Sequence, residues 1–143
     1  MKVYFDTSVL VPALVDQLSN HPSAFSAFQN YINDGNKGFC STHSLSELYS
    51  VLTALPLPRR IATLEAQMLI TESILPRLEV VDLTRNDYLS ALNLAASNGL
   101  SSGIIYDALH VTAARKAGCP RIYTYNIDHF NALLSGEIEV TSP

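Results

Sequence analysis

Five oxygen-bearing side chains, Asp6, Glu47, Asp107, Asn126 and Asp128, stand just beyond or at the start of apolar stretches. Each has a simple local reading. Asp6 follows the apolar run Val3-Tyr4-Phe5 and suits the cap of a following helix. Glu47 lies three residues after Ser44 and completes a capping box with it. Asp107 is favoured near a helix N-terminus, and Asn126 and Asp128 are ordinary turn formers. Jointly the residues ask for more. Asp107 sits among Ile104, Ile105, Ala108, Leu109 and Val111, where an unpaired carboxylate is costly to bury. Several carboxylates at one place repel one another unless a divalent cation neutralises them. Ligation by oxygen alone selects Mg²⁺ or Mn²⁺ over zinc.

The elements around these residues decide whether they meet. Residues 2–5 read as a short buried strand, and Asp6, Thr7 and Ser8 suit the cap of a helix carrying Val9, Leu10, Ala13 and Leu14. Pro12 fits only the first turn or so of that helix. A second helix opens at His21-Pro22 and stops at Asp34-Gly35. Residues 38–42 form a second strand, 44–55 a helix, and 59–75 the longest amphipathic helix, closed by Pro76. A third strand spans 78–83. Thr84 and Asp87 form a capping box for the next helix, which ends at Asn98-Gly99. A helix over 104–117, a strand over 121–125, a short helix over 128–134 and an edge strand over 137–141 complete the chain.

Strands alternating with helices predict an α/β fold, a three-layer α/β/α sandwich on a mostly parallel sheet of four to five strands, as one domain over residues 1–143. Ligands in such sheets bind at the carboxyl ends of strands, the edge where Asp6, Asn126 and Asp128 fall. Glu47, in the first turn of its helix, points to the same edge, whereas Asp107 must reach it from across the cleft.

Composition sets the outer limits. The 143 residues are 48% hydrophobic and 15% charged, too apolar for a disordered chain. No apolar run approaches the roughly 20 residues of a membrane span, and the N-terminus lacks a signal-peptide pattern, so no membrane association and a cytoplasmic location are expected. Cys40 and Cys119, in apolar settings without Cys-x-x-Cys spacing, suit buried thiols in a reducing compartment rather than zinc or a disulfide. The net charge of −4 argues against a nucleic-acid binder until it is located. Setting aside Asp6, Glu47, Asp107 and Asp128 leaves nine acids against nine basic residues, a formally neutral remainder that predicts only modest affinity for RNA.

Four segments in order, Phe5-Asp6-Thr7-Ser8-Val9-Leu10, His43-Ser44-Leu45-Ser46-Glu47-Leu48, Tyr106-Asp107-Ala108-Leu109-His110 and Tyr123-Thr124-Tyr125-Asn126-Ile127-Asp128-His129-Phe130, make the chain resemble a PIN domain, the ribonuclease fold of VapC toxins. That resemblance implies a metal-dependent endoribonuclease, the toxin of a toxin–antitoxin pair, with an RNA substrate and a cognate antitoxin. The apolar face of residues 59–75 with the preceding helices packs in the core by default, and its alternative use is a homodimer or antitoxin groove; a homodimer is expected. The resemblance also implies that Asp6, Glu47 and Asp107 are the core acids for Mg²⁺ (or Mn²⁺), and that catalysis rests on these with Asp128. Asn126 matches the fourth position of the pattern, with Thr124 orienting its loop. Asn126 carries no charge, so Asp128 is expected to supply the missing one, directly or through water. Thr7 and Ser8 support the site through Asp6 or a phosphate, or cap the first helix. One ion held by Asp6 and Asp107 would acidify a water, a second would stabilise the leaving oxygen, and Glu47 would position an ion or its water.

His43 and His110 lie at helical spacing from Glu47 and Asp107 and are expected to make structural hydrogen bonds rather than to catalyse. The rival reading is a non-catalytic PIN-like module that binds RNA or a protein, which the uncharged Asn126 favours. An Asp-nucleophile phosphatase would need an acid where Ser8 stands. A phospho-receiver would need a lysine after a late strand, and the lysines are Lys2, Lys37 and Lys116.

Overall fold

In the computed structural model, which describes residues 1–143, the first apolar run becomes the central strand of the sheet. The strands are β1 (Lys2–Phe5), β2 (Lys37–Ser41), β3 (Leu78–Val81), β4 (Arg121–Tyr123) and β5 (Glu139–Thr141). They lie in the order β3-β2-β1-β4-β5, and every neighbouring pair is parallel. The helices are α1 (Thr7–Leu14), α2 (His21–Asn33), α3 (Thr42–Ala54), α4 (Thr63–Leu69), α5 (Arg85–Ser97), α6 (Ile104–Ala117) and α7 (Ile127–Leu133). The expected α/β architecture holds.

Two-residue alternation along β1 divides the core. Val3 and Phe5 pack with Leu10, Phe28, Leu48 and Ile74 in one cluster, which α1 to α4 and the turn after α4 supply. Tyr4 packs with Ala91, Leu109, Val111 and Phe130 in the other, which α5 to α7 supply. β2 packs closely against both neighbours: a Cβ added at Gly38 would stand 2.5 Å from Leu78 Cδ2 on β3 and 3.2 Å from Phe5 Cε2 on β1. Chain order runs outward on one side from β1 to β3 and on the other from β4 to β5, so the crevice between β1 and β4 is the point where a ligand site forms.

Four local expectations need correction. Asp6 occupies the cap position of α1, but its side chain makes no cap hydrogen bond, and neither do Thr7 and Ser8 cap that helix. The capping box of α3 is Ser41 with Ser44, not Ser44 with Glu47: the Ser44 hydroxyl accepts from Ser41 N–H, which frees the Glu47 carboxylate. Pro12 lies in the second turn of α1, and its carbonyl accepts from His21 Nδ1 at 2.7 Å. The long helix over 59–75 instead begins at Thr63 and passes at Ile70–Ile74 into a π-helical turn, where Leu75 N–H reaches Ile70 C=O at 3.1 Å. Thr71 Oγ1 donates to the Gln67 carbonyl at 3.1 Å, the side-chain competition that loosens a helical ladder. The Thr84–Asp87 box forms as expected. Strands β3, β4 and β5 are each two residues shorter than the apolar runs suggest.

Cys40 and Cys119 are free and buried, and burial pushes their thiols up to about 12 and about 11. No helix is long and apolar enough to cross a membrane.

Candidate metal centre

The carboxyl ends of β1 and β4 are stitched together by hydroxyl groups. Asp6 N–H donates to Tyr123 C=O at 2.9 Å, which places the Asp6 side chain directly over the crevice. Its Oδ2 accepts from Ser8 Oγ at 2.7 Å and from Thr124 Oγ1 at 2.8 Å. Ser8 Oγ in turn accepts Tyr125 N–H, and Thr124 Oγ1 accepts Asn126 N–H, both at 2.9 Å. Ser8 and Thr124 thereby aim Asp6 and fix the loop after β4, so Thr124 does orient that loop.

Glu47 arrives from α3 and Asp107 from the first turn of α6, across the cleft. Asp6 is buried, and the Glu47 and Asp107 side chains are only 23% and 13% exposed. Asn126 and Asp128 are exposed at the rim. All five line one cleft of about 1070 Å³. The structure thus brings the three acids to the floor of a single site and leaves Asn126 and Asp128 at its lip.

Histidines complete the floor. His43 Nε2 donates to Glu47 Oε2 at 2.9 Å, and His110 Nε2 donates to Glu47 Oε1 at 3.2 Å while lying 3.4 Å from Asp6 Oδ1. The other ring nitrogen of His110 shares a 2.7 Å hydrogen bond with the buried Tyr4 hydroxyl. Burial works to raise the Glu47 carboxyl, but the hydrogen bonds from His110 and His43 prevail and hold it well below the usual carboxylate range. For His110, burial favours the neutral ring, yet Glu47, Asp6 and Asp107 outweigh it and push the imidazole up. His110 is thereby placed to offset the charge of the acids from within the protein. Both histidines make the structural hydrogen bonds expected of them. His129, whose Nδ1 lies 3.1 Å from Asp107 Oδ2, and Tyr4 were not foreseen as partners.

Asp107 is the strained acid. Burial and then the charge of Asp6 raise its carboxyl, with His110 and His129 only partly offsetting them. An acid whose folded pKa is raised costs stability while ionised, so above that pKa the neutral isostere is the more stable state. Asp107→Asn is accordingly expected to raise the melting temperature of the metal-free protein at pH 7, read by thermal denaturation in EDTA. A fall of several degrees would contradict this account of Asp107.

The residues fit a hard divalent ion. Asp6, Glu47 and Asp107 offer carboxylate oxygens, and the Thr7 hydroxyl, 3% exposed and lining the same cleft, has no hydrogen-bond partner within the protein.

Residues 3–133 match the PIN domain family. The chain belongs to the PIN domain family. Ribonuclease VapC27 of Mycobacterium tuberculosis (strain ATCC 25618 / H37Rv) is 33% identical over 109 residues, 76% of this chain and 74% of the relative. VapC20 of Mycobacterium tuberculosis, described as a sarcin-ricin loop cleaving toxin, superposes with a TM-score of 0.74 at 17% identity, covering 94% of this chain and 97% of that one. VapBC2 of Rickettsia felis, bound to a DNA fragment from its promoter, gives 0.72 at 18% identity and covers 100% and 99%. The chain is a VapC-like PIN domain, and its family resemblance and fold agree.

Proposed function

We propose that this PIN domain is a Mg²⁺- or Mn²⁺-dependent endoribonuclease, the toxin of a toxin–antitoxin pair, with Asp6, Glu47 and Asp107 as metal ligands and Asn126 and Asp128 completing the site from its rim. The observation that carries the reading is the convergence of three buried or half-buried carboxylates and one orphaned hydroxyl on a single cleft at the β1–β4 switch point. A divalent ion bound there supplies charge neutralisation at the scissile phosphate and acidifies water. The chain's own residues prepare for it. Ser8 and Thr124 both donate to Oδ2 of Asp6, so its Oδ1 has no hydroxyl partner and lies 3.4 Å from His110 Nε2. His43 and His110 keep Glu47 ionised, and His129 fixes one oxygen of Asp107. In-line attack by water leaves a 3′-hydroxyl and a 5′-phosphate.

The RNA substrate is supported by the cleaving activity ascribed to VapC20. An antitoxin partner is supported by the VapBC assemblies of Rickettsia felis and Salmonella typhimurium among the structural neighbours. Homodimerisation and a cytoplasmic location complete the proposal. The test is incubation of the chain with structured and single-stranded RNAs in Mg²⁺ or Mn²⁺, with product ends mapped. Fragments with 5′-phosphates are expected.

Binding alone separates this reading from the non-catalytic module that the uncharged Asn126 favours. Mg²⁺ at 100 times its dissociation constant is expected to stabilise the fold by about 2.7 kcal/mol. A melting curve indifferent to both Mg²⁺ and Mn²⁺ would favour the binding module.

A further inference from the structure

Two imidazole nitrogens meet a carboxylate where the sequence promises oxygen donors alone. His43 Nε2 is 2.9 Å from Glu47 Oε2, His110 Nε2 is 3.2 Å from Glu47 Oε1, and one donor atom from each of the three residues lies within 4.8 Å of the others. A tetrahedral zinc ion with bonds of about 2.0 to 2.1 Å sets its ligand atoms roughly 3.3 Å apart, so small side-chain adjustments admit one. Helical spacing of four residues holds His43 and Glu47 on one face of α3.

Both rings are also held from behind. The Tyr4 hydroxyl lies 2.7 Å from His110 Nδ1, an outer hydrogen bond that fixes the ring with its Nε2 turned toward Glu47. Burial keeps that tyrosine protonated. His43 stacks flat on Tyr106, with ring centroids 5.3 Å apart and planes within 5°. His110 is fully enclosed, whereas the His43 and Glu47 side chains are 12% and 23% exposed, leaving an approach from the cleft.

We infer that His43, Glu47 and His110 form a site for a borderline transition ion of the Zn²⁺ class, different in ligand chemistry from the acid site and sharing Glu47 with it. Imidazole ligands rank Zn²⁺ above Mn²⁺ and suit Mg²⁺ poorly. The ion replaces the protons that link Glu47 to the two rings: each ring then binds as the neutral imidazole with its one proton on Nδ1, and only a ring that carried a second proton releases it to solvent. Occupancy removes Glu47 from the carboxylate set, so Zn²⁺ inhibits the Mg²⁺-driven reaction instead of substituting for it. The inhibition rests on the nuclease reading; the binding does not.

The test titrates Co²⁺, a spectroscopic stand-in, and Zn²⁺ into the full chain without RNA. The wild type is expected to show visible absorption of nitrogen-ligated Co²⁺ with the first equivalent. His43→Gln, at a partly exposed helical position and checked by melting, is expected to weaken binding of both ions by about tenfold or more. Asp107→Asn is expected to weaken it less. A smaller effect of His43→Gln, or a larger one of Asp107→Asn, overturns the site, because the ion then sits on carboxylates. In RNA cleavage with Mg²⁺, half-inhibition of His43→Gln is expected to need about tenfold more Zn²⁺ than the wild type. A chain that binds Co²⁺ as described but cleaves no RNA sinks the nuclease reading and leaves this site standing. One that cleaves RNA while His43→Gln changes neither binding nor inhibition does the reverse.

Discussion

Replacing Asp6 with Asn is expected to lower Mg²⁺-dependent RNA cleavage by about 10³-fold while the protein melts close to the wild-type temperature. The size follows from losing a ligand to an ion that contributes several kcal/mol of transition-state charge stabilisation, about 4 kcal/mol being 10³ in rate. The fold is spared for a specific reason. Ser8 Oγ and Thr124 Oγ1 both donate to Oδ2 of Asp6, and an asparagine carbonyl in that position accepts both. The amide nitrogen then replaces Oδ1, which lies 3.4 Å from His110 Nε2, so the lost attraction to that ring works against the relief of the repulsion between Asp6 and Asp107. A single-turnover cleavage assay beside a thermal melt measures both halves. Cleavage within tenfold of wild type would remove Asp6 from the mechanism.

The largest loss of stability is expected from His110→Ala, on the order of 3 kcal/mol or more in metal-free protein by urea denaturation. His110 is 1% exposed and bonded at both ring nitrogens. Its removal leaves the Tyr4 hydroxyl without its short hydrogen bond and the carboxylates of Asp6 and Glu47 without the ring nitrogen that faces them, the one-sided deletion that costs about 3 to 5 kcal/mol where the pair is buried and charged. Saturating Mg²⁺ is expected to shrink the deficit, because the ion takes over the positive charge. A deficit below about 1 kcal/mol, or one that Mg²⁺ leaves unchanged, would mean that His110 is packing rather than charge compensation.

Asp6 was legible in the sequence because an acid ends the apolar run of β1, and Asp107 because a carboxylate among isoleucines, alanine and leucine demands a partner. Both signals are local. Glu47 was legible as a position but not in its local role, since Ser-x-x-Glu has the same pattern whether or not the serine is already engaged, and here Ser41 engages it. His43 could be placed beside Glu47 by helical spacing. His110 reaching Glu47 and Tyr4, or His129 reaching Asp107, could not, because these pairs span 63, 106 and 22 residues and meet only once the strand order puts β4 beside β1. The π-turn of Ile70–Ile74 left no periodic trace either. Sequence patterns specify which face of an element is buried; the topology alone decides which faces share a site.

The central claim, that these acids hold a divalent ion that drives RNA hydrolysis, is tested most directly by measuring cleavage of one end-labelled RNA across a Mg²⁺ titration starting from EDTA. The expected result is no cleavage in EDTA, a rate that rises and saturates with Mg²⁺, and products bearing 5′-phosphates. Undiminished cleavage in EDTA, or products ending in 2′,3′-cyclic phosphates from attack by the neighbouring hydroxyl, would contradict it.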